Sequence, residues 1–549
     1  MLTGVRFGGI FFGNFDHDRA VRLRPVLQLT GRRAGVETTE QEGTSESVRK
    51  MKNLKRRVRV GFLIALALVG GVALTTYDAT QSAHDRLPRL NLESLGDRVL
   101  IIAPHPDDEV LACGGLIAEC VRHGKKVRVV FVTTGDGYRP AAESFYGSLV
   151  VNARLMRSFG VERHAEAVRA ARVLGLTEKQ LTFLCFPDGG INSLWGPSWE
   201  RSKPHQGVNG FIATSYPFAF RRGVPYCGEE LARELADIVR GFRPSAIFFP
   251  DAQDAHHDHW ATSAFVQFVL AELPVKPAAF TYLVHRQGYP YPWMRLPHAY
   301  LSPSRALLWS DAASWRVFDL SREDERRKEQ ALARYVSQVG RREPFFEAFV
   351  RKNELFRAFS SRVVREMSVS QGTREPPDRD RFTIVDLPRD GLIGRYLFPE
   401  RALRAYGLAC TSDTLYVRVE TDGAVEPARP ALLYGIHLRF PDSGTPRRLD
   451  ILVFNGRAFV PQYDRTSLKV KPSGLWIHDS SITIALPRHE FQSSRYILCG
   501  CDILSGTRRT SLTGWSLFEV AGNRRGSAHA ITSADKRTTG RRVAYDKKS

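Results

Sequence analysis

Two short stretches hold the residue types from which a metal-activated water is built: Pro104-His105-Pro106-Asp107-Asp108-Glu109 and Asp254-Ala255-His256-His257-Asp258-His259. His105 and Asp108 lie three apart, so an imidazole and a carboxylate can converge on one ion from a single loop. A second imidazole, from His259, completes a neutral-plus-anionic donor set and leaves one position for water. Asp107, not needed as a ligand, would sit beside that water and take its proton. Bound zinc lowers the pKa of such a water to about 7 and polarises a carbonyl under attack. His256 is placed to stabilise an oxyanion or to protonate a leaving amine. Either stretch alone is a weak signal, because His-Pro-Asp is commonly a capped turn and a His-rich loop is often bland. The pair is specific if both stretches sit on corresponding loops of one sheet.

The surrounding pattern supplies that sheet. Val99–Ala103, Val127–Thr133, Leu181–Phe186, Ala246–Pro250 and Phe280–His285 are short apolar runs of buried-strand type. Helical stretches separate them: Val110–His123, Arg154–Leu174, Glu229–Gly241 and Trp260–Leu270. The alternation predicts an α/β fold, a Rossmann-like doubly wound and mostly parallel sheet, with its site at the strand C-terminal ends. Both clusters then fall on strand-to-helix loops. A helical segment over Glu323–Phe356 is expected to close the domain. From Thr414 the period becomes two, and six short strands between there and Val520 predict an antiparallel all-β sandwich.

The motif Pro104-His105-Pro106-Asp107-Asp108-Glu109, with the later His256-x-Asp258-His259, resembles the PIG-L/LmbE-like family of zinc N-deacetylases. Arg163-x-x-Glu166, Phe186-Pro187-Asp188-Gly189 and Tyr282-Leu283-Val284-His285 add to the resemblance, which covers about residues 97–360. It implies removal of acetate from N-acetylglucosamine units, with one zinc ion per chain. By the same resemblance His105, Asp108 and His259 are the metal ligands, Asp107 the general base and His256 the electrostatic partner. Arg163 and Asp188 are candidates for substrate binding, with an Arg163–Glu166 ion pair as the bland alternative for the former. Glu109 is expected to brace the motif, and His285 to be an ordinary strand-end histidine. Two departures stand out. Position 257 is His where the family usually has Pro, and the stretch Gly189–Tyr226 is longer than a minimal member needs. Trp195, Trp199, Tyr289, Tyr291 and Trp293 read equally as sugar-stacking rings or as packing anchors.

The full organisation follows from these signals. Residues 1–50 read as disordered or as an over-extended start, and 51–80 as a basic segment with a signal anchor. The deacetylase-like domain is expected over 95–365, a linker over 366–381, the sandwich over 382–522 and a disordered basic tail over 523–549. Arg49–Arg59 holds seven Lys or Arg before the apolar run that begins at Val60, which predicts export, with either a membrane anchor through residues 60–77 or, if the signal is cleaved, a secreted protein. The net charge of +21 sits largely in the two tails, with no zinc-finger or RNA-binding signature, so no specific nucleic-acid partner is expected. Seven scattered cysteines form no CxxC pair; Cys410 with Cys499 or Cys501 could bridge, with buried thiols equally plausible. The sandwich loosely resembles carbohydrate-binding modules, with Trp476, Tyr463 and Trp515 as stacking candidates. Two alternatives remain at this level: a deacetylase of a small amidated sugar, and a catalytically silent glycan-binding or scaffold protein.

Overall fold

The computed structural model describes residues 54–64, 66–67, 70–71, 84–148, 150–368, 375–389, 392–425, 432–441 and 447–521. The stretches expected at 1–50 and 523–549 therefore lie outside the described residues, as does the middle of the expected linker. The expected span 60–77 is described only in part, and those residues are helical. Among the described residues no helix is long and apolar enough to cross a membrane.

The first sheet runs in the order β3-β2-β1-β4-β5-β7-β6. Its strands are β1 Arg98–Ala103, β2 Lys126–Thr133, β3 Leu181–Phe186, β4 Ala246–Pro250, β5 Ala278–Tyr282, β6 Trp315–Asp319 and β7 Asn353–Phe359. Strands β1 to β5 pair in parallel, with Ile101 beside Val129 on one side and Leu100 beside Ile247 on the other. Alternate β1 residues feed opposite cores: Val99, Ile101 and Ala103 pack on one face, Leu100 and Ile102 on the other. A strand buried on both faces reads as a continuous apolar run, which is why these strands were visible from composition alone.

The chain winds outward from β1 to β3, then returns to place β4 on the other side of β1. That reversal brings the loops after β1 and β4 side by side, at the switch point where such sheets bind ligands. Helix α1 (Asp108–Arg122) follows β1, α2 (Arg139–Tyr146) and α3 (Ala153–Val173) follow β2, and the short α4 (Ile191–Trp195) follows β3. Then come α5 (Gly228–Phe242) and α6 (His257–Glu272), the latter directly after the β4 loop.

The expected helical segment Glu323–Phe356 is corrected. It divides into α7 (Arg322–Leu332) and α8 (Val336–Glu347), and its end is strand β7, antiparallel to β5 and β6. Asn353–Phe356 are all buried, and periodicity alone does not separate such a run from a buried helix end. Strand β7 also anchors α1: Glu354 accepts from Gly115 N (2.8 Å) and Leu116 N (2.9 Å) and pairs with buried Lys328 (2.7 Å). A side chain at Gly115 would collide with Leu320.

The remaining chain forms two facing, almost wholly antiparallel sheets. The central strands are β10 (Leu403–Cys410), β11 (Thr414–Thr421), β12 (Leu432–Phe440), β13 (Arg447–Phe454) and β17 (Tyr496–Ser505); β19 (Ser516–Val520) lies next to β17. The shorter or outer strands are β8 (Arg362–Val364), β9 (Thr383–Asp386), β14 (Arg457–Phe459), β15 (Gly474–His478), β16 (Ser481–Pro487) and β18 (Arg508–Leu512). One sheet has the order β15-β16-β11-β10-β9, the other β14-β13-β12-β17-β19-β8 with β18 paired to β17. Their inward residues, among them Leu408, Val417, Ile436, Ile482 and Ile497, form a separate core. The opposite face of β17 and β19 packs on the α/β unit, where Leu498, Trp515 and Leu517 share a core with Trp195, Trp199 and Phe265. Gln267 donates to Trp515 O (2.9 Å), and Gly514 touches the Ala252 carbonyl so closely that no side chain fits there. All seven cysteines are buried free thiols, so the candidate bridge from Cys410 does not form.

Candidate metal centre

The loop after β1 is held in a costly shape. Asp107 has φ 124°, a region that residues with a Cβ rarely occupy. Its neighbours hold it there. Glu109 Oε2 accepts from Asp107 N (3.0 Å), and Arg163 Nη2 donates to Asp107 Oδ2 (2.7 Å) and to Pro106 O. The Asp107 carbonyl then accepts from Val110 N (3.0 Å) and Leu111 N (2.9 Å), opening α1. Asp107 thus starts the helix while its carboxylate is fixed by Arg163.

Three donor atoms converge beside it. Asp108 Oδ2 lies 3.1 Å from His105 Nδ1 and 3.1 Å from His259 Nε2, and the two imidazole nitrogens are 3.3 Å apart. Tetrahedral bonds of roughly 2.0–2.1 Å put neighbouring ligand atoms about 3.3–3.4 Å apart, so the triangle is nearly the right size for one small divalent ion. Asp108 Oδ1 is buried and has no hydrogen-bond partner among the described residues. A carboxylate left half satisfied at a convergence point fits a ligand, since a purely structural carboxylate would be fully paired. Among the described residues, the groups of histidines and carboxylates close enough to share an ion all draw on this cluster.

The outward nitrogens are also accounted for. His259 Nδ1 faces Asp254 Oδ2 (3.2 Å), which accepts from Val284 N (2.9 Å) and His285 N (3.0 Å) as well. His105 Nε2 faces Asp188 Oδ1 (3.1 Å) and Asp258 Oδ2 (3.2 Å). These carboxylates are fixed in turn: Gly137 N donates to Asp188 (2.6 Å), while Gly189 N (2.6 Å) and Ile191 N (3.0 Å) donate to Asp258. Carboxylates behind metal-binding histidines set ring orientation and raise basicity.

Electrostatics follow from this crowding. Burial alone would lower the His259 pKa, but Asp108 and Asp254 lift it to about 10. His105 is likewise opposed by burial yet held well above its ordinary value by Asp188, Asp108 and Asp258. Protons and a metal ion therefore compete for the same nitrogens. His256 goes the other way: burial, then the adjacent His105 and His259, depress it to about 4. Its Nδ1 accepts from Asp258 N (3.2 Å), so the neutral ring carries its proton on Nε2. Burial pushes Glu109 up to about 8, against hydrogen bonds from Tyr335 OH and Asp107 N.

The structure brings His105, Asp107, Asp108, His256 and His259 together, as their spacing suggested. It places the other candidates differently. Arg163 pairs with Asp107, while Glu166 is held by Ser337 N (2.8 Å) and Ser337 Oγ (2.6 Å), so the expected Arg163–Glu166 alternative is replaced. Asp188, a candidate for sugar contact, is buried against His105. His285, read as an ordinary strand-end residue, lies beyond the end of β5 with its ring 4.8 Å from His259 and 5.2 Å from His256. Trp195, Trp199 and Tyr289 are buried packing anchors, whereas Tyr291 and Trp293 remain exposed. Sequence reasoning gave no role to Asp254 or to Asp258 behind the ligands. Their signal was present as acids interleaved with the His-rich loop.

A Rossmann-like sheet carrying a His-Asp-His cluster suited to a metal at its switch point defines the class of domain. Residues 100–270 match the family model described as PIG-L, GlcNAc-PI de-N-acetylase, and this part of the chain is a PIG-L family domain. The chain is similar to a 1D-myo-inositol 2-acetamido-2-deoxy-alpha-D-glucopyranoside deacetylase from Corynebacterium kroppenstedtii, 27% identical over 177 residues, which are 32% of this chain and 41% of that protein. It is similar to one with the same description from a Mycobacterium species, 31% identical over 173 residues, covering 31% and 49%. The chain thus spans about half the length of the curated relatives it matches or less. Among solved structures, it is similar to the N,N'-diacetylchitobiose deacetylase of Pyrococcus horikoshii, at 20% identity and TM-score 0.31, over 48% of this chain and 84% of that one.

Proposed function

We propose that this chain is a metal-dependent N-deacetylase acting on N-acetylglucosamine-type units of an extracytoplasmic glycan or glycoconjugate. The observation that carries the reading is the convergence of His105 Nδ1, Asp108 Oδ2 and His259 Nε2 beside a carboxylate, Asp107, that is held apart from them. The PIG-L domain and the printed activity of the relatives support the reaction class. His105, Asp108 and His259 would hold one zinc ion, which when bound supplies an acidified water and a polarised carbonyl.

The protein's own groups do the rest. Asp107 accepts the proton of the attacking water, oriented for it by the Arg163 guanidinium and by Glu109 behind the backbone. His256, neutral with its proton on Nε2, donates to the oxygen on which charge develops. Asp254, Asp188 and Asp258 fix both imidazole ligands. The basic tract followed by an apolar run supports export with the catalytic domain outside the membrane.

Two measurements test this. Purified protein should carry about one zinc per chain and should release acetate from N-acetylglucosamine oligomers. A panel that adds single amidated sugars would assign the substrate; no acetate from any acetylated sugar would refute the reading.

A further inference from the structure

A line of rings leads away from the metal centre. It begins at His256, whose ring lies 5.2 Å from that of His285. His285 stacks on Phe345 of α8, with centres 5.6 Å apart and planes 9° from parallel. Phe345 in turn meets Trp293 edge to face at 5.6 Å. None of the four residues is fully buried, and Trp293 is 48% exposed.

Exposure alone would not mark Trp293. Trp309 is more exposed still, at 86%, and joins no ring cluster among the described residues. What distinguishes Trp293 is that its backbone is held. Buried Arg351 donates from Nη1 to Met294 O (3.0 Å) and from Nη2 to Pro292 O (3.0 Å), gripping the chain on both sides of it. Met294 N donates to Pro292 O (2.9 Å), closing a tight turn at Trp293. Tyr289, earlier in the same loop, is buried against Phe349. The loop is thus fixed from within while Tyr291, Trp293 and Met294 are left outside. A ring presented on a fixed backbone has little ordering entropy left to lose when a ligand covers it. Exposed apolar clusters beside polar groups mark ligand-binding surfaces. Arg295, two residues on, is paired with Glu329 (2.5 Å), which suits the loop to an uncharged partner rather than to an anion.

Distance decides which part of a substrate Trp293 meets. Two steps of 5.6 Å, from His285 to Phe345 and from Phe345 to Trp293, place the indole at most about 11 Å from His285. Among the described residues it makes no ring contact with His256, His259 or His285 themselves. It therefore flanks the centre at one remove, where the neighbouring residues of a sugar chain would lie, and not the acetamide under attack. The C–H face of a pyranose is an apolar surface that an indole can cover.

We infer that Trp293 is a stacking platform for a sugar residue adjoining the one that is deacetylated, so that the substrate is an oligosaccharide or polysaccharide chain rather than a single sugar. The inference rests on the deacetylase reading above and narrows its substrate class.

The test compares acetate release from N-acetylglucosamine and from its tetramer by the zinc-loaded full-length protein. The wild type should prefer the tetramer in kcat/KM. Trp293→Ala should lower that preference at least about tenfold, chiefly through KM, and Trp293→Phe should restore most of it. Trp309→Ala should leave the preference as it is. A wild type without preference would overturn the inference, as would a Trp293→Ala variant that loses activity equally on both substrates or on neither. Calorimetric titration with the tetramer in zinc-loaded Asp107→Asn, with and without Trp293→Ala, separates this claim from the reaction itself. The added substitution should weaken binding at least about tenfold. No acetate from the wild type, with tetramer binding still dependent on Trp293, would refute the reaction and leave the platform standing. Acetate release with tetramer binding indifferent to Trp293 would refute the platform alone.

Discussion

Two buried histidine-carboxylate clusters in this protein use the same residue types and arrive at different chemistry. In the sandwich, His437 directs Nδ1 at Asp450 (2.8 Å) and Nε2 at Asp502 (3.3 Å). Arg439 closes on Asp450 (2.9 Å) and Arg509 on Asp502 (2.9 Å). Each charge has its own partner, and the donor atoms point apart. At the end of β1 and β4, by contrast, three donor atoms point at one another and Asp108 keeps an unpaired oxygen. Divergent pairing makes a salt-bridge network; convergent pairing with an unsatisfied oxygen makes a ligand set. Composition does not separate the two.

The sharpest way to break the comparison is to remove one histidine from each cluster. His259→Ala should abolish zinc binding and lower acetate release by roughly a thousandfold or more, since metal activation of the water would go with it. His437→Ala should leave zinc content near one per chain. Metal analysis of both variants decides it.

The two clusters should also respond oppositely to pH. Burial lowers His437, but Asp450 and Asp502 raise it to about 9, above its unfolded value near 6.5. Its contribution to stability is therefore complete below about 6.5 and is lost as pH rises through about 9, amounting to about 3 kcal/mol at most. Denaturation of the wild type and His437→Gln from pH 6 to 10 should show the gap between them closing. In the metal-free first cluster, His105 and His259 hold protons that zinc must displace, so zinc affinity should rise over the same range.

Smaller changes test how the ligands are held. Asp254→Asn should weaken zinc binding about 10–100-fold without removing a ligand, measurable by competition with a chelator. Tyr335→Phe should cost only about three- to tenfold in kcat, because it removes the hydroxyl behind Glu109 and leaves Arg163 on Asp107. A larger loss would make Glu109 more than a brace.

The fold was legible where burial and chain order agreed. Strands buried on both faces announced themselves as apolar runs, and β3 and β4 coincide with their expected bounds. The site was legible because a switch-point loop carries its donors in sequence order, His105 to Asp108 and His256 to His259. What escaped depends on long-range contact. Strand β7 joins the parallel strands antiparallel to β5 and carries β6 on its outer side, both recruited by pairing, and Glu354 matters only because α1 lies on it. His285 joins the cluster because the chain leaves β5 at Tyr282 and turns back over Asp254. Trp515, a candidate stacking residue on the sandwich surface, is instead buried against Trp195, 5.4 Å between ring centres. No local pattern records which face of a strand another sheet will cover.

The central claim is that Asp107, set apart from the three converging donors, moves the proton. Acetate release from N-acetylglucosamine oligomers by the zinc-loaded wild type and by Asp107→Asn, compared at equal metal content, tests it directly. The geometry predicts full zinc occupancy in both and a rate at least about a hundredfold lower in the variant. Equal rates at equal occupancy would contradict it.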